Sequence, residues 1–321
     1  MLKRVGFLTV FCLALSAFAA QAQSWPTRGV RIVVPFPPGG ATDIIARLVA
    51  EQMTRDWGQA VVVENRAGAG GTIGTDAVAK AQADGYTLLL ATLATNAIAP
   101  AVYPKLPYNP GRDFTPITPL AGTVSAIAIH PALPVQNLAE FIAYAKARPG
   151  QLAFSSPGAG VSAHLAMEHF TQVAGLKMIH VPYKGSAPAL NAVVSGEVAA
   201  TFDPIASLAP LARAGRVRAL AISGRERSAL LPDVPTIAEA GVKGVESYTW
   251  NGLAGPAGLP AAIVERIHAD VTRMLKSDGL RQRLASMGSD ALLMSPREFA
   301  DFVAAETRKW GEIARATGAS Q

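Results

Sequence analysis

Residues 31–43, RIVVPFPPGGATD, are the stretch that decides the fold. The apolar run at 32–36 predicts a short strand, and the Pro-Pro-Gly-Gly run at 37–40 predicts a turn. Beyond the turn, apolar residues from Ile44 to Met53 recur at helical spacing. The stretch therefore predicts a strand, a glycine loop and a helix in succession, which together form one βα unit.

The same succession recurs along the chain. Residues 61–64 and 74–83 predict a second strand and helix around a loop at 68–71, and 86–92 predicts a third strand. A long stretch at 113–131, with alternating apolar residues and three prolines, is interpreted as a connecting strand, after which the pattern restarts. Alternating strands and helices indicate mostly parallel sheets flanked by helices. The later predicted elements are a helix at 138–147, a strand at 152–155, a helix at 163–173, a strand at 178–182, a helix at 187–194, strands at 200–203 and 218–223, a second connecting strand at 248–255, and helices at 263–274, 280–287 and 297–316.

The two connecting strands bracket the middle of the chain. We therefore predict a two-domain α/β protein in which 23–123 and 251–321 form a discontinuous first domain. Residues 124–250 form a second domain inserted into the first. Ligands are expected in a cleft between the domains, at the carboxyl ends of the strands.

The N-terminus has the composition of an export signal. Lys3 and Arg4 precede an apolar run at 5–20, and the small residues that follow predict cleavage after Ala22. This assigns residues 1–22 to a signal peptide and the mature chain to the periplasm. Prolines interrupt the later uncharged stretches, so no membrane span is expected after cleavage.

Composition excludes several classes of function. Half of the residues are hydrophobic and 16% are charged, which is typical of a compact globular protein. The mature chain keeps 27 basic and 23 acidic residues, a net charge of +4 without any basic run of the kind that binds nucleic acid. This balance suits small anions. The sole cysteine, Cys12, lies in the predicted signal peptide, so disulfides, cysteine-ligated metals and a cysteine nucleophile are excluded.

Three loops are suited to hold an anion. A strand that turns through glycine into a helix leaves unpaired backbone N–H groups at the positive end of the helix dipole. The loops at 36–43, 154–164 and 181–186 have this pattern. Each is also compatible with an ordinary turn before a capped helix. Their occurrence in both halves of the chain favours a shared ligand.

Four stretches, at residues 31–43, 63–71, 155–165 and 181–185, together resemble the Bug family, the periplasmic solute-binding receptors of tripartite tricarboxylate transporters. The resemblance spans essentially the whole mature chain in the expected order. It implies a hinged, two-domain fold of the type II periplasmic-binding-protein kind that closes on a small carboxylate: a dicarboxylate, an acidic amino acid or an aromatic acid. It also implies a monomer that serves membrane transporter subunits or sensing, without nucleic acid, metal, cofactor or catalytic residues.

The resemblance assigns the bound carboxylate to loops in both halves, often through ordered water. The residues carried over are Phe36, Pro38, Gly40 and Asp43 on one side, and Ser155, Gly158, Ser162 and His164 on the other. Thr92 and Asn96, at the end of the third strand, are further candidates. Lys184 is either a partner for a second carboxylate or a solvated lysine. Asp203 either accepts a ligand amine or caps the helix that begins near residue 207.

A periplasmic serine hydrolase is the alternative function. Residues 160–164, GVSAH, differ from the G-x-S-x-G nucleophile motif at the last position. Asp203 and His268 follow Ser162 in the chain order of a catalytic triad. The geometry is poor, however, because Ser162 lies several residues beyond the predicted strand end.

Two other enzyme classes fit less well. A dehydrogenase needs a third glycine where this chain has Ile73. A metal-dependent hydrolase needs two histidines on one helix face, whereas His164 and His169 are five residues apart, about 140° around a helix.

Overall fold

The computed structural model describes residues 25–103 and 105–318 of the 321-residue chain. The predicted signal peptide and its cleavage site lie outside the described residues. In the described part of the chain, no helix combines the length and the apolar composition needed to cross a membrane.

Strands and helices alternate through both halves of the described chain. The strands are β1 (Val30–Val34), β2 (Val61–Asn65), β3 (Thr87–Thr92), β4 (Phe114–Thr123), β5 (Ser125–Ile129), β6 (Ala153–Ser156), β7 (Ile179–Pro182), β8 (Ala200–Pro204), β9 (Arg218–Ile222), β10 (Thr249–Pro256) and β11 (Ser289–Ala291). The α-helices are α1 (Ala41–Trp57), α2 (Thr72–Ala79), α3 (Ala99–Val102), α4 (Leu138–Lys146), α5 (Ser162–Ala174), α6 (Ser186–Val194), α7 (Ile205–Arg213), α8 (Ala261–Leu275), α9 (Asp278–Ser286) and α10 (Pro296–Thr317). A 3-10 turn at Ala69–Gly71 precedes α2, and a π-helix at Ala94–Ile98 precedes α3.

The strands form two sheets. The first has the order β11-β4-β10-β3-β1-β2, and the second has the order β7-β6-β8-β5-β9. In the first sheet β1 is parallel to β2 and β3, whereas β10 is antiparallel to β3 and β4. In the second sheet β6 is parallel to β7 and β8, whereas β5 is antiparallel to β8 and β9. The predicted α/β class, with two sheets flanked by helices, is confirmed. Both sheets are mixed and not mostly parallel, because each combines parallel and antiparallel strand pairs.

The prediction of one connecting strand at 113–131 is wrong. β4 ends at Thr123 in the first sheet and β5 begins at Ser125 in the second, so Val124 alone joins the two sheets at this crossing. The sequence pattern does not show the break at Val124, because β4 and β5 are both largely buried and together form one continuous apolar run. The return crossing precedes Thr249. Both crossings lie within two residues of the predicted domain boundaries; the division into domains stays a prediction.

Helix α10 packs against both halves of the molecule. It contacts the π-helix, α3 and β4 of the first half and α5 of the second. Phe299 and Trp310 of α10 belong to the same buried cluster as Leu165 and Phe170 of α5. The Thr307 hydroxyl also lies 3.2 Å from the Asn96 carbonyl oxygen. The two sheets are therefore held together by a helix as well as by the strand crossings.

Glycines allow the loop after β2 to pack closely against the loop after β1. Gly71 has a φ of 95°, and a Cβ there would lie 2.7 Å from the Cγ2 of Thr95. A Cβ at Gly74 would lie 2.5 Å from the carbonyl oxygen of Arg66 and 3.0 Å from the Cα of Pro35. Because backbone atoms cannot yield as a side chain does, this approach requires glycine.

We predict that Gly74→Ala destabilises the fold by about 1–3 kcal/mol, because the added methyl forces two backbone segments apart. Gly279→Ala is the matched control, since a Cβ at this position in α9 meets no atom within 4 Å and its φ is ordinary. The control should unfold at the wild-type temperature or slightly above it. Thermal unfolding followed by circular dichroism measures both; equal melting temperatures for Gly74→Ala and wild type would contradict the packing argument.

Candidate functional site

The predicted loops lie at the carboxyl ends of parallel strands. The first follows β1, and the other two follow β6 and β7. The second and third form one unit, because the Tyr183 N–H donates to the Ser156 carbonyl oxygen at 2.9 Å and the Gly185 N–H donates to that of Pro157 at 3.0 Å. One edge of each sheet therefore carries the predicted site residues.

These two edges meet. The Ser162 Oγ at the start of α5 lies 3.5 Å from the Oγ1 of Thr249, the first residue of β10. Within the first sheet, Asn251 of β10 is paired with Thr92, the last residue of β3. The loop edge of the second sheet thus adjoins the edge of the first sheet at which β1 and β3 end.

The helices that leave the three loops begin without a side-chain cap. α1 follows Gly40, α5 follows Val161 and α6 follows Gly185, and none of these residues supplies a capping hydrogen bond. Of the other described α-helices, α4 is capped by Asn137 and α10 by Ser295, and the remaining five also lack a side-chain cap. The first N–H groups of a helix have no intrahelical partner. Three helix N-termini with free donors consequently adjoin the meeting edges, an arrangement suited to an anion.

Asp43 holds the first loop in place. Its Oδ2 accepts from the Gly39 N–H and the Arg47 Nε, both at 2.9 Å, and its Oδ1 accepts from the Asn65 Nδ2 at 2.9 Å. The Asn65 Nδ2 also donates to the Phe36 carbonyl oxygen at 3.1 Å. The hydrogen bond from Arg47, assisted by those from Gly39 and Asn65, lowers the pKa of Asp43 to about 2 against the opposing effect of burial. The buried carboxylate is fully engaged, which favours a positioning role.

Thr92 and Asn96 lie beneath the site in a small polar cluster. Both are buried, and the Asn96 Oδ1 accepts from the Thr92 N–H at 3.3 Å and from the Thr95 Oγ1 at 2.8 Å. The Thr92 and Thr95 hydroxyls are 3.0 Å apart. Since Thr95 lies against Gly71, the cluster supports the loop after β2 from below.

Serine side chains shape the loop after β6. The Ser155 Oγ is fully buried and donates to the Ala189 carbonyl oxygen of α6 at 2.9 Å. The Ser156 Oγ donates to the Gly158 carbonyl oxygen at 2.8 Å and lies 2.6 Å from the His180 Nε2. Because the serine proton is used toward Gly158, the Nε2 of His180 carries its own proton and donates to Ser156. The serines hold this loop and do not cap α5.

His164 stacks on His180, with ring centroids 3.7 Å apart and an angle of 17° between the planes. The His164 Nδ1 accepts from the Gly160 N–H at 3.1 Å, so its proton is on Nε2. Burial and the neighbouring His164 lower the pKa of His180 to about 4. The two stacked imidazoles thus fix the loop after β6.

The remaining predicted residues differ in exposure. Pro38, Gly40 and Lys184 are exposed, whereas Phe36 is half-buried and packs against the core of the first sheet. A Cβ at Gly40 would meet nothing within 4 Å, so the first loop presents open backbone. Direct ligand contact by any of these residues stays a prediction.

Asp203 is buried without a partner. Its side chain is inaccessible to solvent, and neither carboxyl oxygen has a hydrogen-bond partner among the described residues. Burial raises the pKa of Asp203 to about 7, an effect opposed by the hydroxyl of Ser186 on the adjacent helix α6. The capping alternative is wrong, because α7 begins after Pro204 and receives no side-chain cap.

The hydrolase constellation is not assembled. Ser162 has Thr249 as its hydroxyl neighbour, while the His268 Nδ1 lies 3.1 Å from the Thr118 Oγ1, beside the first sheet. Asp203 has no hydrogen-bond partner in the described part of the chain and so orients no histidine. A serine nucleophile needs an adjacent base that is itself oriented, and this arrangement provides neither.

Sequence analysis missed several residues that hold the site. Arg47 and Asn65 bind Asp43, Thr95 bridges Thr92 and Asn96, and His180 supports the loop after β6. Asn65 was detectable in principle, because it follows the apolar run of β2, where site residues of parallel sheets concentrate. The others depend on contacts that no local pattern signals.

Comparison with known proteins gives a consistent result. Residues 45–319 match the family model described as the tripartite tricarboxylate transporter family receptor. The chain is 36% identical over 322 residues to the protein BugT of Bordetella pertussis, covering 99% of this chain and 98% of BugT.

Solved structures agree with this match. The structure named R. palustris Rpa4515 with adipate is 38% identical, has a TM-score of 0.80, and matches across 92% of this chain and 99% of its own. The structure named MatC (Rpa3494) from Rhodopseudomonas palustris with bound malate is 35% identical, has a TM-score of 0.74, and covers 90% of this chain and 99% of its own.

The unpartnered acid generates a prediction about stability. Because the folded state holds the Asp203 proton up to about pH 7 and the unfolded state loses it near pH 3.8, the stability of the wild-type protein falls as pH rises through this window. Asp203→Asn removes the effect. The variant should therefore gain stability relative to wild type between pH 4 and pH 7, by about 4 kcal/mol at most.

Asp43→Asn provides a control of opposite sign. The pKa of Asp43 is lowered in the folded state, so its carboxylate stabilises the protein above pH 4, and replacement should destabilise it at pH 7. Denaturant unfolding of the three proteins at several pH values measures both effects. An Asp203→Asn advantage that does not change with pH would show that the folded protein does not hold this acid neutral.

Proposed function

Because the chain belongs to the tripartite tricarboxylate transporter receptor family, whose members are periplasmic solute-binding receptors and not enzymes, we propose that its ligand is a small dicarboxylate. The observation that carries the proposal is the set of three uncapped helix N-termini on the two meeting sheet edges. The relatives whose structures are named with adipate and with malate support the same class of ligand. On this proposal the protein is a monomer that delivers its ligand to membrane subunits of a transporter.

The first loop offers the carboxylate backbone donors. Gly39 uses its N–H within the loop, toward Asp43, whereas the N–H of Gly40 has no hydrogen-bond acceptor among the described residues. The N–H groups of residues 41–43 start α1 and have no intrahelical partner. We assign one ligand carboxylate to this cluster, where the N–H groups and the helix dipole act together.

The loops of the second sheet provide the opposing side. The residues proposed to contact the ligand there are Gly158, Ser162 and Lys184, at or near the starts of α5 and α6. Ser155 and His164, like Asp43, Thr92 and Asn96, support the loops from within. Two carboxylates bound at opposite sides of the cleft would accept hydrogen bonds from donors on both sheets. A ligand with a single carboxylate would leave the donors of one sheet without an acceptor.

Gly40 permits a test that changes a single donor. Its φ of −79° and ψ of 166° fit proline, so Gly40→Pro removes one N–H without changing the loop's conformation. We expect the affinity for adipate and for malate to fall by about 10- to 100-fold, the loss of about 1.5–3 kcal/mol from a hydrogen bond to a charged group. Isothermal titration calorimetry of the purified mature protein measures the affinities.

Gly40→Ala is the matched control, because it adds a Cβ and keeps the N–H. It should fold normally and bind both acids more tightly than Gly40→Pro. If the two variants bind with equal affinity, the Gly40 N–H is not a ligand donor. If wild-type protein binds no dicarboxylate at all, the proposed ligand class is wrong.

The predicted leader supports delivery to the periplasm. We propose cleavage after Ala22, which places Gln23 at the mature N-terminus. Mass spectrometry of the protein released from the periplasm of a Gram-negative host should detect this terminus. A full-length chain retained in the cytoplasm or the membrane would contradict the assignment.

A further inference from the structure

An acid that is fully buried and has no hydrogen-bond partner needs an explanation. Such groups are rare in native proteins, because desolvation of a polar group is costly unless another group compensates for it. Both carboxyl oxygens of Asp203 are in this condition among the described residues. Its contacts include neither a capping hydrogen bond nor an ion pair, so no such protein partner explains why the acid is retained.

The position of Asp203 places it at the meeting edges. In β8 it is paired with Ala126 of β5, one residue from the paired positions Pro204 and Ser125. Ser125 follows Val124, the residue that joins the two sheets, and the Ile205 N–H donates to the Val124 carbonyl oxygen at 3.0 Å. The acid therefore lies where the loop edge of the second sheet adjoins the first sheet.

Its other neighbours belong to the proposed site. β8 is parallel to β6, and Thr201 is paired with Ser155, so Asp203 lies beside the start of the loop after β6. On its other side, α6 begins at Ser186 without a side-chain cap, and the hydroxyl of Ser186 is close enough to influence the acid. The group thus lies among free donors of the site without being engaged by them.

We infer that Asp203 selects the ligand by its protonation state. As a neutral acid it donates a hydrogen bond to a carboxylate of a plain dicarboxylate, and as a carboxylate it accepts from the ammonium group of an acidic amino acid. This inference rests on the proposed function, since it assigns a second recognition element to the same carboxylate site. One pocket then serves two ligand classes, with their relative affinities set by pH.

The electrostatic surroundings support this assignment. Burial raises the pKa of Asp203 to about 7, so the neutral and ionised forms are both accessible near neutral pH. β5, β6 and α6, which pack against β8, carry no ionisable side chain. α5 carries His164, Glu168 and His169, and α7 carries Arg213 at its last turn; Lys184 precedes α6. None of these groups is hydrogen-bonded to Asp203.

The two ligand classes should respond to pH in opposite directions. A dicarboxylate must meet the neutral acid, because two carboxylates in a buried site repel each other. Its affinity should stay constant below about pH 6.5 and fall toward tenfold per pH unit above about pH 7.5. The affinity for aspartate or glutamate should instead rise as Asp203 ionises.

Calorimetric titrations with adipate, malate, aspartate and glutamate from pH 5.5 to pH 8.5 test this. Asp203→Asn has a permanent N–H donor in place of the acid, so its dicarboxylate profile should be flat and its preference for acidic amino acids should be lost. Asp290→Asn is the control: partial desolvation and the neighbouring Glu226 also raise the pKa of Asp290, but this exposed residue lies on β11 at the outer edge of the first sheet, and its replacement should leave the wild-type profile in place.

Proton uptake supplies a measurement that does not depend on absolute affinity. At pH 8, wild-type protein should take up close to one proton for each dicarboxylate bound, measured by titration in buffers of different ionisation enthalpy, whereas Asp203→Asn should take up none. If Asp203→Asn keeps the wild-type pH profile or proton uptake, another group such as His164 is responsible and the inference is wrong. Loss of all dicarboxylate binding in Asp203→Asn would also overturn it, while absence of binding by wild type at every pH would instead overturn the proposed function.

Discussion

The arrangement of this protein depends on one constraint: the first N–H groups of an α-helix have no partner within the helix. At the start of α4 and of α10, the side chains of Asn137 and Ser295 accept a hydrogen bond from one of these N–H groups. At the helices that follow β1, β6 and β7 glycine or valine occupies the capping position, and the donors stay available. Parallel strands bring these N-termini to one edge of each sheet, so the proposed anion site depends directly on the fold.

Polar side chains near the site serve mainly to hold backbone in place. Asp43 binds its own loop, Thr92 and Asn96 form a cluster below it, and the stacked His164 and His180 fix the loop after β6. Each group is already satisfied by protein partners. Asp203 differs in being buried and unsatisfied, and its destabilising effect near neutral pH is the kind of cost that functional sites retain.

Local sequence pattern was sufficient for the βα units, because strand, glycine loop and helix differ in period and composition. Sequence pattern did not predict the contacts that depend on how the strands are paired. Asn65 reaches the first loop because β2 pairs with β1 so that Asn65 is opposite Val34. The break at Val124, the short strand β11 and the partnership of His164 with His180 likewise follow from tertiary neighbours. The loops were thus predictable, whereas the network that supports them was not.

The crossings also restrict how the two sheets can move relative to each other. Val124 joins β4 to β5 directly, and α10 packs against both halves, so we expect a relative motion of the sheets to be a rotation about the crossings. β1 is separated from β10 by β3 alone, which places the Gly40 loop roughly 10 Å from the crossing at the usual strand spacing. Asp203, two residues from Ile205 and its bond to Val124, is much nearer to that axis. A rotation that opens the cleft would therefore displace the Gly40 loop far more than Asp203. The backbone donors of the Gly40 loop would bind one carboxylate at the entrance of the cleft, which moves. Asp203 would contact the other end of the ligand at the base of the cleft, which moves little.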